Sequence, residues 1–196
     1  VHDLIDAEVE WASSKDLAEA LGLTSSTVRQ DLFHLDLTGV SKRGYDTRQL
    51  ESVLRRELGT HRLQRLVIVG AGNLGCALAL HGDLKENGFE PCGIFDASDD
   101  VVGARVGGLT VAPMSALKSV VRAKRVAIGI IAVPAESAQE VADVLAAAGV
   151  KGLLNLAYVH VKVPRGVSLV DARLLASLQQ LSYSVRSRKR RPDKDR

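Results

Sequence analysis

The chain has 196 residues, 46% hydrophobic and 25% charged, and its 26 basic and 23 acidic side chains leave a formal net charge of +3. That length suits one large globular domain or two small ones. No apolar run is long enough to span a bilayer, and the acidic residues 1–10 lack a signal-peptide core, so a cytoplasmic protein with no membrane partner is expected.

In chain order, Ser13-Ser-Lys-Asp16 matches a helix capping box, after which Leu17, Ala20 and Leu21 line one face and Gly22 stops the helix. Thr24 can cap a second helix over residues 25–35, with Val28, Leu32 and Leu35 spaced for burial. Two helices joined by a tight turn make a helix-turn-helix. Ser25, Ser26, Thr27, Arg29 and Gln30 stand at the start of the second helix, where such folds meet base edges in the major groove. Gly39-Val-Ser-Lys-Arg-Gly-Tyr45 reads as a hairpin wing, with Lys42 and Arg43 at a tip suited to phosphates. Asp46 caps a third helix that ends at Gly59. A helical dimerisation domain fits the same pattern, so these helices alone leave both readings open.

Beyond residue 62, strands are predicted at 66–70, 91–96, 109–112, 125–133, 151–156 and 167–170. Helices fall between them at 73–87, 114–122 and 135–148, the last stopped by Gly149. This alternation predicts an α/β fold with a doubly wound, Rossmann-type parallel sheet. Its first strand enters Gly70-Ala-Gly-Asn-Leu-Gly75, a G-x-G-x-x-G turn that opens a helix. Gly70 permits the turn, Gly72 lets a pyrophosphate approach the backbone, and Gly75 lets helix and strand pack closely. Asn73 and Leu74 begin the helix, whose N-terminus faces the anion. Asp96, about twenty residues further on, can accept hydrogen bonds from a ribose. With Asp99 and Asp100 nearby, it disfavours the extra phosphate of NADP and favours NADH or NAD+.

Val133, Pro134 and Asn155 lie at the carboxyl ends of later strands, the edge where such sheets bind ligands. The plain alternative is that Pro134 ends a strand and Asn155 caps a turn. Cys76 and Cys92 lack metal-ligand spacing and read as inert, buried thiols in a reducing compartment; no metal site is expected. His81 lies on the wrong side of the sheet for acid–base work, which leaves Tyr158 and His160 as catalytic candidates. Little chain remains to build a substrate pocket, so no enzyme and no catalytic residue are expected. Residues 171–185 form an amphipathic helix with Leu174, Leu178, Leu181 and Val185 on one stripe, for its own domain or for exchange in a dimer. Residues 186–196 carry seven basic and two acidic side chains and read as a disordered tail. The domains are thus expected at 1–60, 61–170, 171–185 and 186–196.

In order and spacing, these blocks resemble the Rex family of redox-sensing transcriptional repressors. The resemblance runs from about Ser13 to Val185 through Ser13-Ser-Lys-Asp-Leu-Ala-Glu-Ala-Leu-Gly22, Val28-Arg-Gln-Asp-Leu32, Lys42-Arg-Gly-Tyr-Asp46 and Val69-Gly-Ala-Gly-Asn-Leu-Gly75. Phe95-Asp96, Gly129-Ile-Ile-Ala-Val-Pro-Ala135 and Gly152-Leu-Leu-Asn155 continue it. It implies a homodimer with swapped C-terminal helices that binds operator DNA and releases it when NADH binds. It also implies that Leu174 approaches the nicotinamide across the dimer. Three departures stand out: Gln30 where the family has Lys, an altered lead-in to the wing, and Arg173 where the family has Asp. The family's first helix is missing or degenerate in residues 1–10. A regulator sensing another nucleotide such as coenzyme A, and a small NAD-dependent oxidoreductase, are the competing readings.

Overall fold

The computed structural model describes residues 1–35 and 37–190, the last four as backbone only. Contacts divide the chain into two units, Val1–Leu63 and Gln64–Arg196.

The first unit contains α1 (His2–Asp6), β1 (Trp11–Ala12), α2 (Ser14–Leu21), α3 (Ser25–His34), β2 (Tyr45–Asp46) and α4 (Thr47–Glu57). Three side chains start its main helices by satisfying backbone N–H groups that have no partner within the helix. Ser13 Oγ accepts from the Asp16 N–H at 3.2 Å, and Asp16 returns the bond to the Ser13 N–H at 2.9 Å. Thr24 accepts from the Thr27 N–H at 3.2 Å, and Asp46 from the Gln49 N–H at 2.8 Å. Gly22 closes α2 in the left-handed conformation (φ 64°). A small core of Leu17, Ala18, Val28, Leu32, Leu37, Tyr45 and Leu50 joins the helices.

Three details differ from the sequence reading. Ala18, not Ala20, shares the inward face of Leu17, which leaves Leu21 66% exposed. The expected wing is a tight turn closed by an isolated bridge between Val40 and Gly44, and β2 pairs antiparallel with β1 instead. A short first helix, α1, does exist within residues 1–10, and His2 lies 3.4 Å from Glu51 of α4.

The second unit contains β3 (Gln64–Val69), α5 (Asn73–Leu80), α6 (Asp83–Glu86), β4 (Phe89–Asp96), β5 (Arg105–Val106) and β6 (Leu109–Pro113). It continues with α7 (Leu117–Ala123), β7 (Ile128–Ile131), α8 (Ala135–Ala148), β8 (Gly152–Asn155), β9 (Ser168–Asp171) and α9 (Leu174–Arg190). The strand order is β5-β6-β4-β3-β7-β8-β9, parallel throughout except for β5 on the edge. This is the doubly wound order, with its switch point between β3 and β7. Alternation along β3 sends Val67 and Val69 into one core with Leu117 and Leu145, and Leu66 and Ile68 into the other with Ile94 and Ile130. Both faces of the sheet are therefore covered.

The helix expected over 73–87 breaks at His81, which is extended (φ −72°, ψ 105°), and resumes after Gly82 as the short α6. The strand expected from residue 125 begins at Ile128; Arg125 is left-handed (φ 52°) in the turn out of α7. At the C-terminus α9 continues past Val185 to Arg190, so residues 186–190 are helical where disorder was expected; 191–196 lie outside the described residues. Leu174, Leu178, Leu181 and Val185 are between 52% and 63% exposed. Among the described residues no helix is long and apolar enough to cross a membrane.

The three loop glycines have different reasons to be glycine. A Cβ on Gly75 would run into the carbonyl oxygen of Gly70, and one on Gly70 (φ 106°) into the carbonyl of Ala132. A Cβ on Gly72 would meet nothing within 4 Å. Gly75→Ala should therefore destabilise the second unit by about 1–3 kcal/mol, while Gly72→Ala stays within about 0.5 kcal/mol of the parent. Urea midpoints measure both, and the reverse ranking would contradict this loop geometry.

Candidate nucleotide and DNA sites

The glycine loop is held by the strand beside it. The Gly70 N–H donates to the Phe95 carbonyl at 2.8 Å, and the Ala71 N–H donates to Asp96 Oδ2 at 2.6 Å. Asp96 Oδ1 accepts from the Ser98 N–H at 2.9 Å, so one carboxylate ties together the turns after β3 and β4. From below, the Cys76 thiol donates to the Ala71 carbonyl at 3.1 Å. A cavity of about 490 Å³ opens at this switch point, lined among others by Gly70, Gly72, Asp96, Val133, Pro134 and Glu140. The glycine turn before a helix start, an apolar wall and a carboxylate thus border one space. Gly72 fits the same use, since its own fold does not require a missing side chain there but a ligand lying against the backbone would.

Five of the ten predicted nucleotide residues line that cavity: Gly70, Gly72, Asp96, Val133 and Pro134. Asn73, Leu74 and Gly75 form the adjoining first turn of α5, where Leu74 is 53% exposed. Leu174 lies on α9 and does not line the cavity. Asn155 is fully buried and occupied. It donates to the Val159 carbonyl at 2.7 Å and to Asp171 at 2.9 Å, and accepts from the Ala157 N–H at 3.0 Å. Its turn-building alternative is therefore the one realised in this geometry. Met114, Ser137 and Val144 also line the cavity and were missed; the α8 residues could have been found from their shared helical face.

The catalytic candidates lie elsewhere. His160 Nδ1 is 3.1 Å from Asp171, Tyr158 is 65% exposed, and both border a separate hollow with Arg173. Hydrogen bonds from Asn155, then His160 and Arg173, hold the Asp171 carboxyl below the ordinary carboxylate range against the opposing effect of burial. Both cysteines are free and half-buried rather than buried, and burial pushes the Cys92 thiol up, away from reactivity.

In the first unit, Ser26, Thr27, Arg29 and Gln30 are exposed along the start of α3, and Ser25 is half-buried. Thr27 is engaged with its cap, since its hydroxyl lies 2.9 Å from that of Thr24. Arg29 donates to the Ser14 hydroxyl at 3.2 Å, a bond across the two helices on the exposed face. Lys42 occupies the left-handed tip of the turn (φ 63°), and Arg43 stacks 4.6 Å over the Trp11 ring. These cations border a cleft of about 520 Å³ between α3 and the turn.

Residues 1–32 match the family described as Putative DNA-binding protein N-terminus, and residues 61–159 match the family described as CoA binding domain. The redox-sensing transcriptional repressor Rex 1 of Thermotoga maritima is 42% identical over 93% of this chain and 87% of that protein. The chain belongs to the Rex family. Rex of Carboxydothermus hydrogenoformans, another redox-sensing transcriptional repressor, is 40% identical over 91% of this chain and 86% of its own length. Among solved structures, RSP in complex with β-NAD+ and operator DNA aligns with a TM-score of 0.88 and 32% identity, covering 96% of this chain and 87% of RSP. RSP in complex with β-NADH aligns at 0.85 and 31%, covering 96% and 88%. The Rex relatives are repressors rather than enzymes, in line with the expectation drawn from the short chain.

The Asp171 cluster gives a pH signature. Its bonds favour the charged carboxylate, so their stabilisation is present above the unfolded value of about 3.9 and is lost as pH falls through the lower folded value. Asp171→Asn should therefore flatten the acid side of the melting-temperature profile below about pH 5. A parallel loss in both proteins would show that Asp171 contributes nothing there.

Proposed function

We propose that this chain is an NADH-responsive repressor that holds operator DNA with its first unit and releases it when NADH fills the cavity of its second. Family membership supports the class of function. The single observation that carries the ligand reading is Gly72, whose open space serves no packing need of the protein itself. The α5 N-terminus with Gly70, Gly72, Asn73, Leu74 and Gly75 would hold the pyrophosphate, and Asp96 the ribose hydroxyls. Val133 and Pro134 would form the apolar wall. A charged oxidised ring suits that wall less than a neutral reduced one, which favours NADH over NAD+.

Ser25, Ser26, Thr27, Arg29 and Gln30 would enter the major groove. Arg29 suits guanine and Gln30 suits adenine, so the preferred operator would differ from one read by an Arg-Lys pair. Lys42 would meet the phosphate backbone; Arg43, already stacked on Trp11, would set the turn's position as well. The exposed stripe on α9 supports a homodimer that buries it, carrying Leu174 toward a partner's cavity, and Asn155 would act by anchoring the hinge before that helix. A repressor of this kind works in the cytoplasm. NADH can act only through unequal affinity for the DNA-competent and released arrangements.

The competing nucleotide is coenzyme A, favoured by the family description that matches residues 61–159. Calorimetric titrations with NADH, NAD+ and coenzyme A decide between them. NADH is expected to bind most tightly, and a preference for coenzyme A would replace the redox reading. Asp96→Ala should weaken NADH by about ten-fold or more, through loss of a charged acceptor for the ribose and of the bonds that order the glycine loop. Arg29→Ala should cost about 1–3 kcal/mol of operator affinity and leave NADH binding intact. Loss of both activities in Arg29→Ala would contradict the division of labour between the units.

A further inference from the structure

Phe33 lies outside the proposed set of DNA-contacting residues. Its side chain is 73% exposed, and it is absent from the core that α3 builds through Val28 and Leu32. At helical spacing Phe33 follows Arg29 by four residues and Gln30 by three, which sets all three on one outward stripe with Ser26. Every other residue of that stripe is polar. The ring's edge contact is with His34, itself exposed, at 6.3 Å between centroids. Phe33 also lines the cleft between α3 and the 40–44 turn, whose other walls carry Arg29, Lys42 and Arg43. An apolar ring that shares a cleft with three cations suits a polyanion that also offers a methyl group. Duplex DNA does so in one place, the C5-methyl of thymine in the major groove.

We propose that Phe33 is a specificity-determining residue, packing against a thymine methyl one helical turn beyond the bases met by Arg29 and Gln30. This rests on the DNA-binding reading above. A protein surface would suit the ring but would not use the three flanking cations.

The test selects sites from random-sequence duplex DNA with the full-length protein, then replaces each thymine of the selected site by deoxyuridine, which lacks only the methyl. At one thymine per half-site the parent should lose about four-fold in affinity, the worth of one buried methyl group. Phe33→Ala should bind both duplexes equally at that position, and Phe33→Leu should keep part of the difference. The exposed position makes an unchanged melting temperature the expected control. If no thymine separates the parent from Phe33→Ala, the proposal is overturned while DNA binding stands. If the parent selects no duplex at all, the DNA-binding reading fails and takes this one with it.

Discussion

The carboxylate of Asp96 fixes the turn on which the second unit depends. By accepting the Ala71 and Ser98 N–H groups, it locks the ends of β3 and β4 into one rigid edge. Gly70 then lies against the Ala132 carbonyl after β7, so three strand ends converge on this turn. The cavity is the space left over by that convergence. A group that orders the loop before a ligand arrives also removes an ordering cost from binding, the usual advantage of a preformed site.

At the other side of the sheet, Asn155 plays a comparable structural part. Fully buried, it ties β8 to the following turn and to Asp171 at the end of β9. Asp171 in turn gathers His160 and Arg173 immediately before α9. The direction in which α9 leaves the sheet is thus set by a polar knot, while the helix itself keeps an apolar stripe open to solvent. Burying a polar residue completely is tolerable because all of its bonds are made locally.

Much of this was legible in the chain. The caps at Ser13, Thr24 and Asp46, the stops at Gly22 and Gly149, and the strand–helix alternation are local signals, and each is realised where the residues place it. The glycine fingerprint gave the cavity's floor for the same reason. What escaped depends on contacts distant in sequence. The two-residue strands β1 and β2 carry no period of their own, and the compact turn at 40–44 follows from their pairing. Glu140 and Val144 share a helical face with Ser137 that the spacing shows, but that this face borders the glycine loop follows only from β7, which precedes α8, lying next to β3. Asn155 looked like a ligand group because of its strand end; its three bonds inside the protein could not be seen from spacing.

The placement of Trp11 gives the molecule a built-in optical label. It is the single tryptophan of the chain, and it lies beneath Arg43 in the first unit. The second unit carries Tyr158 and Tyr183 but no indole. Emission excited at the red edge of the protein absorption band therefore originates at β1, beside the basic turn. Lifting the guanidinium off that ring changes the indole's surroundings directly, so the light responds to this contact while the second unit stays dark.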